Sequence, residues 1–509
     1  MKKKMMSILS MLLVLSLVLM ACANGGGGGA DTPPANDGGE VAAPADDDDA
    51  GDEADDDTGE VADDDAGDEV VDTMEPADGE YRGTVRVAWL GLGPDDTVDP
   101  ISGLVFRGSQ GLKELVEEKL PGVEVEFIMI PSDGWIQNME TTILSGEADV
   151  GWFTNQVMAA KWFVDHRYFM ENDPDFTLED FENTFTYPAR FLSTYRTFTY
   201  PEYTGAILGL PYAASAHFIV YDAVMFEQWG VEPLPMHPSF DDIRNAAEQM
   251  TGTNPVTGEH NYGVFLSTRW SEWLGIGADI YPIIDIPSMD IRELDIETDV
   301  GFIRDNPRVL EYFKFLEDMI QLAPVGAAAG SGYEMWPTPD NNIAIMLDAP
   351  RTSVIYNHVR AGNTEVTDRF IPVLLPRSEA GISSFPEIQR LAVSRYANDP
   401  WLAWEVIKVI ATDIDVQNYL LENISFGQVP ALVDTTGIHA MDDPFTRMRY
   451  EDRLTGTFLT DDFWFWRDPL RILLSGFFAG EFDAYELVEL WYQDTVEWVE
   501  NKIESLGFE

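Results

Sequence analysis

Six histidines are spread along the chain (His166, His217, His237, His260, His358 and His439), and no two stand at the helical spacing that lets a pair grip a metal ion. No Gly-x-Ser-x-Gly turn presents a nucleophilic serine. The glycine-rich run Gly326–Gly332 lacks the Lys-Ser/Thr that a phosphate loop needs. So acidic a chain contains many carboxylates that could pair for glycoside hydrolysis, but no spacing marks one pair out. The residue type and position that do specify chemistry are those of Cys22, the only thiol in 509 residues.

Lys2, Lys3 and Lys4 precede an uncharged apolar run from Ser7 to Met20, 14 residues long. That run is too short to span a bilayer of about 30 Å as a helix, but it fits the core of an export signal with a basic start. The segment Leu19-Met20-Ala21-Cys22 resembles the bacterial lipobox, in which the cysteine is thioether-linked to diacylglycerol and becomes the first residue of the mature chain. Residues 1–21 then read as a lipoprotein signal peptide, with Cys22 the acylated anchor on the extracytoplasmic face of the cell membrane.

The next stretch, 22–80, reads as a tether. Residues 23–80 hold 22 acidic residues and no Lys or Arg, with Gly25–Gly29 in a row and near-repeats at 45–53 and 62–69. Such a segment has too little apolar area to offset the entropy of ordering, and its like charges extend it. The spacing and fixed glutamate of a calcium loop are absent.

Residues 81–509 carry 28 Lys/Arg against 68 Asp/Glu, a net charge of −40. Nucleic-acid binding needs cations that displace counterions, so that balance argues against it. With no second cysteine, the body must be held by its core, and a chain of this length divides into two or more lobes. Thr84–Leu92 reads as a strand, Ser109–Leu120 as a helix, Val123–Ile130 as a strand, Trp135–Leu144 as a helix and Asp149–Phe153 as a short strand. That alternation predicts a parallel sheet with right-handed crossovers. Ligands of such sheets bind beyond the carboxyl ends of the strands, at the loops Gly91–Asp95, Pro131–Trp135 and Trp152–Gln156. Further on, Ile207–Tyr221 is extended and Ala223–Trp229 helical. Ser239 with Asp242 starts a helix through a capping box, running to Met250. Asp399-Pro400 opens another, and helical periodicity marks Pro307–Leu322 and Tyr485–Leu506.

The order of these blocks resembles the extracellular solute-binding proteins of family 1, the sugar-type receptors of ABC importers. The segments carrying the likeness are Gly209-Leu210-Pro211-Tyr212, Val220-Tyr221-Asp222, Phe226 through Val231, Ser239-Phe240-Asp241-Asp242, Tyr262-Gly263-Val264, Ala344 through Asp348, Phe370 through Pro376, Leu391 through Trp404, and Gly427 through Ala431. The resemblance implies an α/β, two-lobed periplasmic-binding-protein-like fold of type II. It has three crossing segments, near Ile207, near Gln389 and near Leu454–Asp462, and a ligand cleft between the lobes. Lobe one would hold 82–205 and 391–455, and lobe two 207–389 and 460–509.

Several aromatic residues fall where that family has its cleft: Trp152, Phe153, Tyr212, Trp270, Trp273, Trp464 and Trp466. Aromatic planes stack on the apolar faces of sugar rings, while amides such as those of Asn155 and Gln156 meet the hydroxyls. Where the maltodextrin-binding branch has a stacking tryptophan after its Gly-Pro, this chain has Ala349-Pro350-Arg351. An arginine there suits an acidic sugar or another anion, or else an ion pair within the protein. The resemblance thus implies a non-enzymatic, monomeric receptor without cofactor. It would pass a carbohydrate to transmembrane permease subunits. A receptor for an acidic sugar or peptide-like ligand, a surface adhesin and a secreted glycosidase are the alternatives.

Overall fold

The computed structural model describes residues 81–505, except 100–101, 155, 197–200, 216, 282–295, 380, 382–386, 425–427 and 455–462. Cys22, the acidic tether and Asn155 therefore lie outside the described residues, as does the expected third crossing. The strands are β1 (Gly83–Leu90), β2 (Thr97–Val98), β3 (Val105–Phe106), β4 (Val123–Ile130), β5 (Val150–Phe153), β6 (Leu210–Ala214), β7 (Ile219–Asp222), β8 (Gly252–Thr253), β9 (His260–Phe265), β10 (Ile343–Met346), β11 (Phe370–Val373), β12 (Ile388–Val393) and β13 (Val429–Pro430).

Eleven of them form two mixed sheets, and β2 and β3 pair with each other as an antiparallel ribbon. The first runs β13-β6-β12-β5-β1-β4, and the second β11-β7-β10-β9-β8. In the first sheet β1 pairs in parallel with β4 and β5, as strand–helix–strand alternation requires. In the second, β9 and β10 are parallel. This is the α/β periplasmic-binding-protein fold, one sheet to each lobe.

Helices cover the sheets because their apolar stripes match the strand faces. Leu112 and Val116 of the Ser109–Lys119 helix, and Met139 and Ile143 of the Trp135–Leu144 helix, are fully buried in the core shared with β1 and β5. The Pro400–Thr412 helix starts where Asp399 accepts a hydrogen bond from Leu402 N, at 3.0 Å, and it is buried almost all round. The second sheet is packed on both faces. Ile219 and Tyr221 of β7 join the main core, while Phe218 and Val220 join a second cluster with Phe265, Trp336 and Phe370. That division follows from the alternation of side chains along a strand.

The chain leaves the first sheet later than its sequence suggests. Leu210–Ala214 pairs with β12 inside the first sheet, so the first crossing lies between Ala214 and Ile219 and not near Ile207. Pro211 and the small residues around it suit a strand whose other neighbour, β13, pairs only at its end. The return crossing precedes Ile388, where β12 begins. No helix among the described residues is long and apolar enough to cross a membrane.

Candidate functional site

The carboxyl ends of β1, β4 and β5 collect indole rings. Trp89 ends the buried stretch of β1 and packs on the Tyr212 ring at 5.1 Å. Trp135 opens the helix after β4, where Gly134 (φ 61°) turns the chain through a left-handed conformation that a side chain would strain. Trp152, at the end of β5, meets Trp135 edge-on at 5.5 Å, and its Nε1 donates to Tyr212 Oη at 3.1 Å. Trp152 and Tyr212 are thus brought together, as expected of neighbours in one site. Phe153, the next residue along, points to the opposite face. Its ring lies 5.2 Å from Phe163 and 4.9 Å from the guanidinium of the fully buried Arg390, so it belongs to the core of the first lobe. Gln156 starts a short helix after β5.

A second aromatic group stands at the carboxyl ends of β9 and β10. The Thr268–Gly275 helix follows β9 and carries Trp270 and Trp273, whose rings lie 5.5 Å apart. His217, in the first crossing, packs edge-on against both, at 5.0 and 5.7 Å. Between the two tryptophans, Glu272 is fully buried and accepts from Arg467 Nε at 3.0 Å. Burial pushes the Glu272 carboxyl up, against the downward pull of Arg467. The Arg467 guanidinium lies 5.3 Å from the Trp273 ring, which fixes the Phe463–Phe478 helix to this site. Trp464 and Trp466 sit in the first turn of that helix; their side chains fall outside the described residues.

Arg351 is held within its own lobe. Asp348, fully buried at the start of the Ala349–Ala361 helix, accepts from Arg351 Nη1 at 2.6 Å and from Ser267 Oγ at 2.6 Å. Arg351 Nη2 donates to Gly330 O at 3.0 Å, and the guanidinium lies 3.9 Å over the Tyr333 ring. The same loop accepts from Thr268 Oγ1 through Ala328 O, at 2.9 Å. Ser267, Thr268, Asp348 and Arg351 therefore lock the start of two helices to one turn.

Several buried polar atoms at this end of the second sheet have no hydrogen-bond partner among the described residues. They are Arg269 Nη2, Trp270 Nε1, Glu272 Oε2, Asp348 Oδ1 and Arg351 Nε. Burying such atoms without partners is costly, and these five stand together at strand carboxyl ends.

Sequence reasoning missed Trp89, His217, Glu272, Asp348 and Arg467. The expectation that ligands sit beyond β4 did include Trp135. Glu272 had a local signal: a charged residue between two tryptophans on one helix is either exposed or paired.

Residues 107–338 match the family described as bacterial extracellular solute-binding protein. A Brucella abortus (strain 2308) protein named as a binding protein is 25% identical over 210 residues, 41% of this chain and 45% of the relative. A Brucella suis protein named in the same way matches to the same extent. The chain thus matches less than half the length of these curated relatives.

Among solved structures, it resembles an ABC substrate-binding protein from Listeria monocytogenes in complex with cycloalternan. The TM-score is 0.60 at 13% identity, covering 84% of this chain and 100% of that one. An ABC transporter solute-binding protein from Thermotoga lettingae, bound with alpha-D-tagatose, gives 0.58 at 15% identity over 82% and 99% of the two chains. One from Agrobacterium vitis with bound D-mannitol gives 0.56 at 16% identity over 82% and 98%. At such identities the likeness is one of fold.

Proposed function

We propose that the chain is the substrate-binding receptor of an ABC importer, capturing a carbohydrate between its lobes, a reading supported by the match of residues 107–338 to the bacterial extracellular solute-binding protein family. The observation that carries this reading is the pairing of two aromatic groups, each at the carboxyl ends of one sheet, with buried polar atoms beside one of them. The rings are at most 7% exposed in this arrangement, so a ligand would meet them as the lobes part, with ring faces for stacking and the polar atoms for directional bonds to hydroxyls. The chain passes from the first sheet to the second between Ala214 and Ile219 and returns between Val373 and Ile388, and a ligand touching both lobes would bias closure over these connections.

The lipobox-like end at Cys22 and the acidic stretch behind it support a tethered receptor that hands its cargo to membrane permease subunits. Cys22→Ser removes the thiol that forms the thioether. The variant is expected in the aqueous phase of a detergent partition, and its retention with the membrane fraction sinks the anchor. A chain starting at Glu80 is expected to keep its ligand affinity and melting temperature.

The receptor reading is tested by titration calorimetry against a panel of mono- and oligosaccharides. At least one should bind without being turned over. Trp270→Ala should weaken that binding about thirtyfold, since losing a central aromatic anchor costs about 2 kcal/mol. Release of reducing ends would point to a glycosidase instead. Binding of polymer alone, with no change on small sugars, would point to an adhesin.

A further inference from the structure

Two arginines stand at the carboxyl ends of β9 and β10, and they differ in one respect. Arg351 has a fully buried carboxylate on Nη1, a backbone carbonyl on Nη2 and an aromatic plane beneath it. Arg269 is only half-buried, lies 6.0 Å from the Trp270 ring centre and makes no ion pair among the described residues. Its Nη2 is nonetheless buried without an acceptor among the described residues, as is Nε1 of the neighbouring Trp270, a residue only 4% exposed. Arg269 is held in place by its neighbours, because Thr268 is bonded to Ala328 and Ser267 to Asp348.

We infer that Arg269 is the anion-recognising residue of the site, and that the ligand is a sugar carrying a carboxylate or sulfate group. This rests on the receptor reading above. A guanidinium fork suits a planar or tetrahedral oxyanion through parallel N–H donors, and the indole N–H of Trp270, the next residue, is a further donor without a partner among the described residues. Arg351 cannot take that role without giving up Asp348, whose buried charge it neutralises. The net charge of −40 on residues 81–509 repels an anion at long range. That field is screened beyond a Debye length of about 8 Å at physiological salt, so the local fork decides.

The test is titration calorimetry with glucuronate, galacturonate, a sulfated monosaccharide and their neutral counterparts, on the wild type, Arg269→Gln and Arg269→Lys. Wild type is expected to bind one anionic sugar at least tenfold more tightly than its neutral counterpart, with affinity falling as salt rises. Arg269→Gln should lose that preference while keeping its melting temperature. Arg269→Lys should recover part of it, since it restores the charge without the fork. Carboxylate and sulfate probes separate the two oxyanions. If a neutral sugar binds as tightly as its anionic counterpart and Arg269→Gln leaves both unchanged, the anion inference is overturned while the receptor reading stands. If no sugar of either kind binds, the receptor reading itself falls.

Discussion

At the scale of single residues, several buried charged groups of the body are paired within it. Arg351 and Asp348 illustrate this, with the carboxylate fully buried and shared with Ser267. Arg351→Ala leaves that charge without its cation, and is expected to cost about 3 kcal/mol of stability, read as a lowered denaturant midpoint. Unchanged stability would free Arg351 for a role toward ligand. His166 is another fixed point. It is fully buried, its Nε2 accepts from Val393 N at 3.0 Å, and its Nδ1 bonds Ile207 O at 3.0 Å. Burial pushes its pKa down to about 4. The unfolded chain takes up the proton near pH 6.5, while the folded site refuses it until about 4. Its contribution is therefore complete above pH 6.5 and is lost as the pH falls towards 4, by about 3 kcal/mol. Thermal melts across that window should show the loss, and His166→Gln should flatten that part of the profile.

At the scale of elements, local signals decided which parts were legible. Ser239 and Asp242 form the expected capping box, with Asp242 N donating to Ser239 Oγ at 3.1 Å and Ser239 N to Asp242 Oδ2 at 2.8 Å. Ser239→Ala should cost about 1 kcal/mol, because one orphan amide of the first turn loses its acceptor. A denaturant titration showing no change would mean that Phe240 alone fixes the helix start. Strands Val123–Ile130 and helices Trp135–Leu144 and Ala223–Trp229 match their expected limits, because apolar period and flanking turn residues agree there. The Pro444–Leu454 and Phe463–Phe478 helices were not legible. The first is rich in charge and the second contains Pro469, so neither shows a clean stripe between recognised end signals. The site was legible in part for the same reason. Trp152 with Tyr212 and Trp270 with Trp273 are adjacent through strands and one helix. The Glu272–Arg467 pair joins residues far apart in sequence, and only tertiary packing reveals it.

At the scale of the whole molecule, a polar contact joins the two halves. Asn357 Nδ2, on the helix after β10, donates at 3.2 Å to Asp99 Oδ2, in the loop between β2 and β3. Both residues are at least nine-tenths buried. Such a bond favours the arrangement in which the lobes approach, and a ligand's apparent affinity scales with the population of the competent state. Asn357→Ala should weaken binding up to about tenfold, since a hydrogen bond to a charged group contributes about 1.5 kcal/mol or more. Scattering on the ligand-free protein should then show a larger radius of gyration. An unchanged radius and affinity would make the contact incidental to closure.

The crossings have a mechanical consequence. β6 and β12 are antiparallel neighbours, and Ser215 N donates to Glu387 O at 2.8 Å, so their ladder continues into the outgoing and returning segments. Two strands laced side by side resist sliding past each other and resist torsion, but they flex readily out of their common plane. On these two crossings alone, the joint is expected to bend as a leaf spring does, with one compliant direction, so that a bound molecule would set how far it bends but not which way.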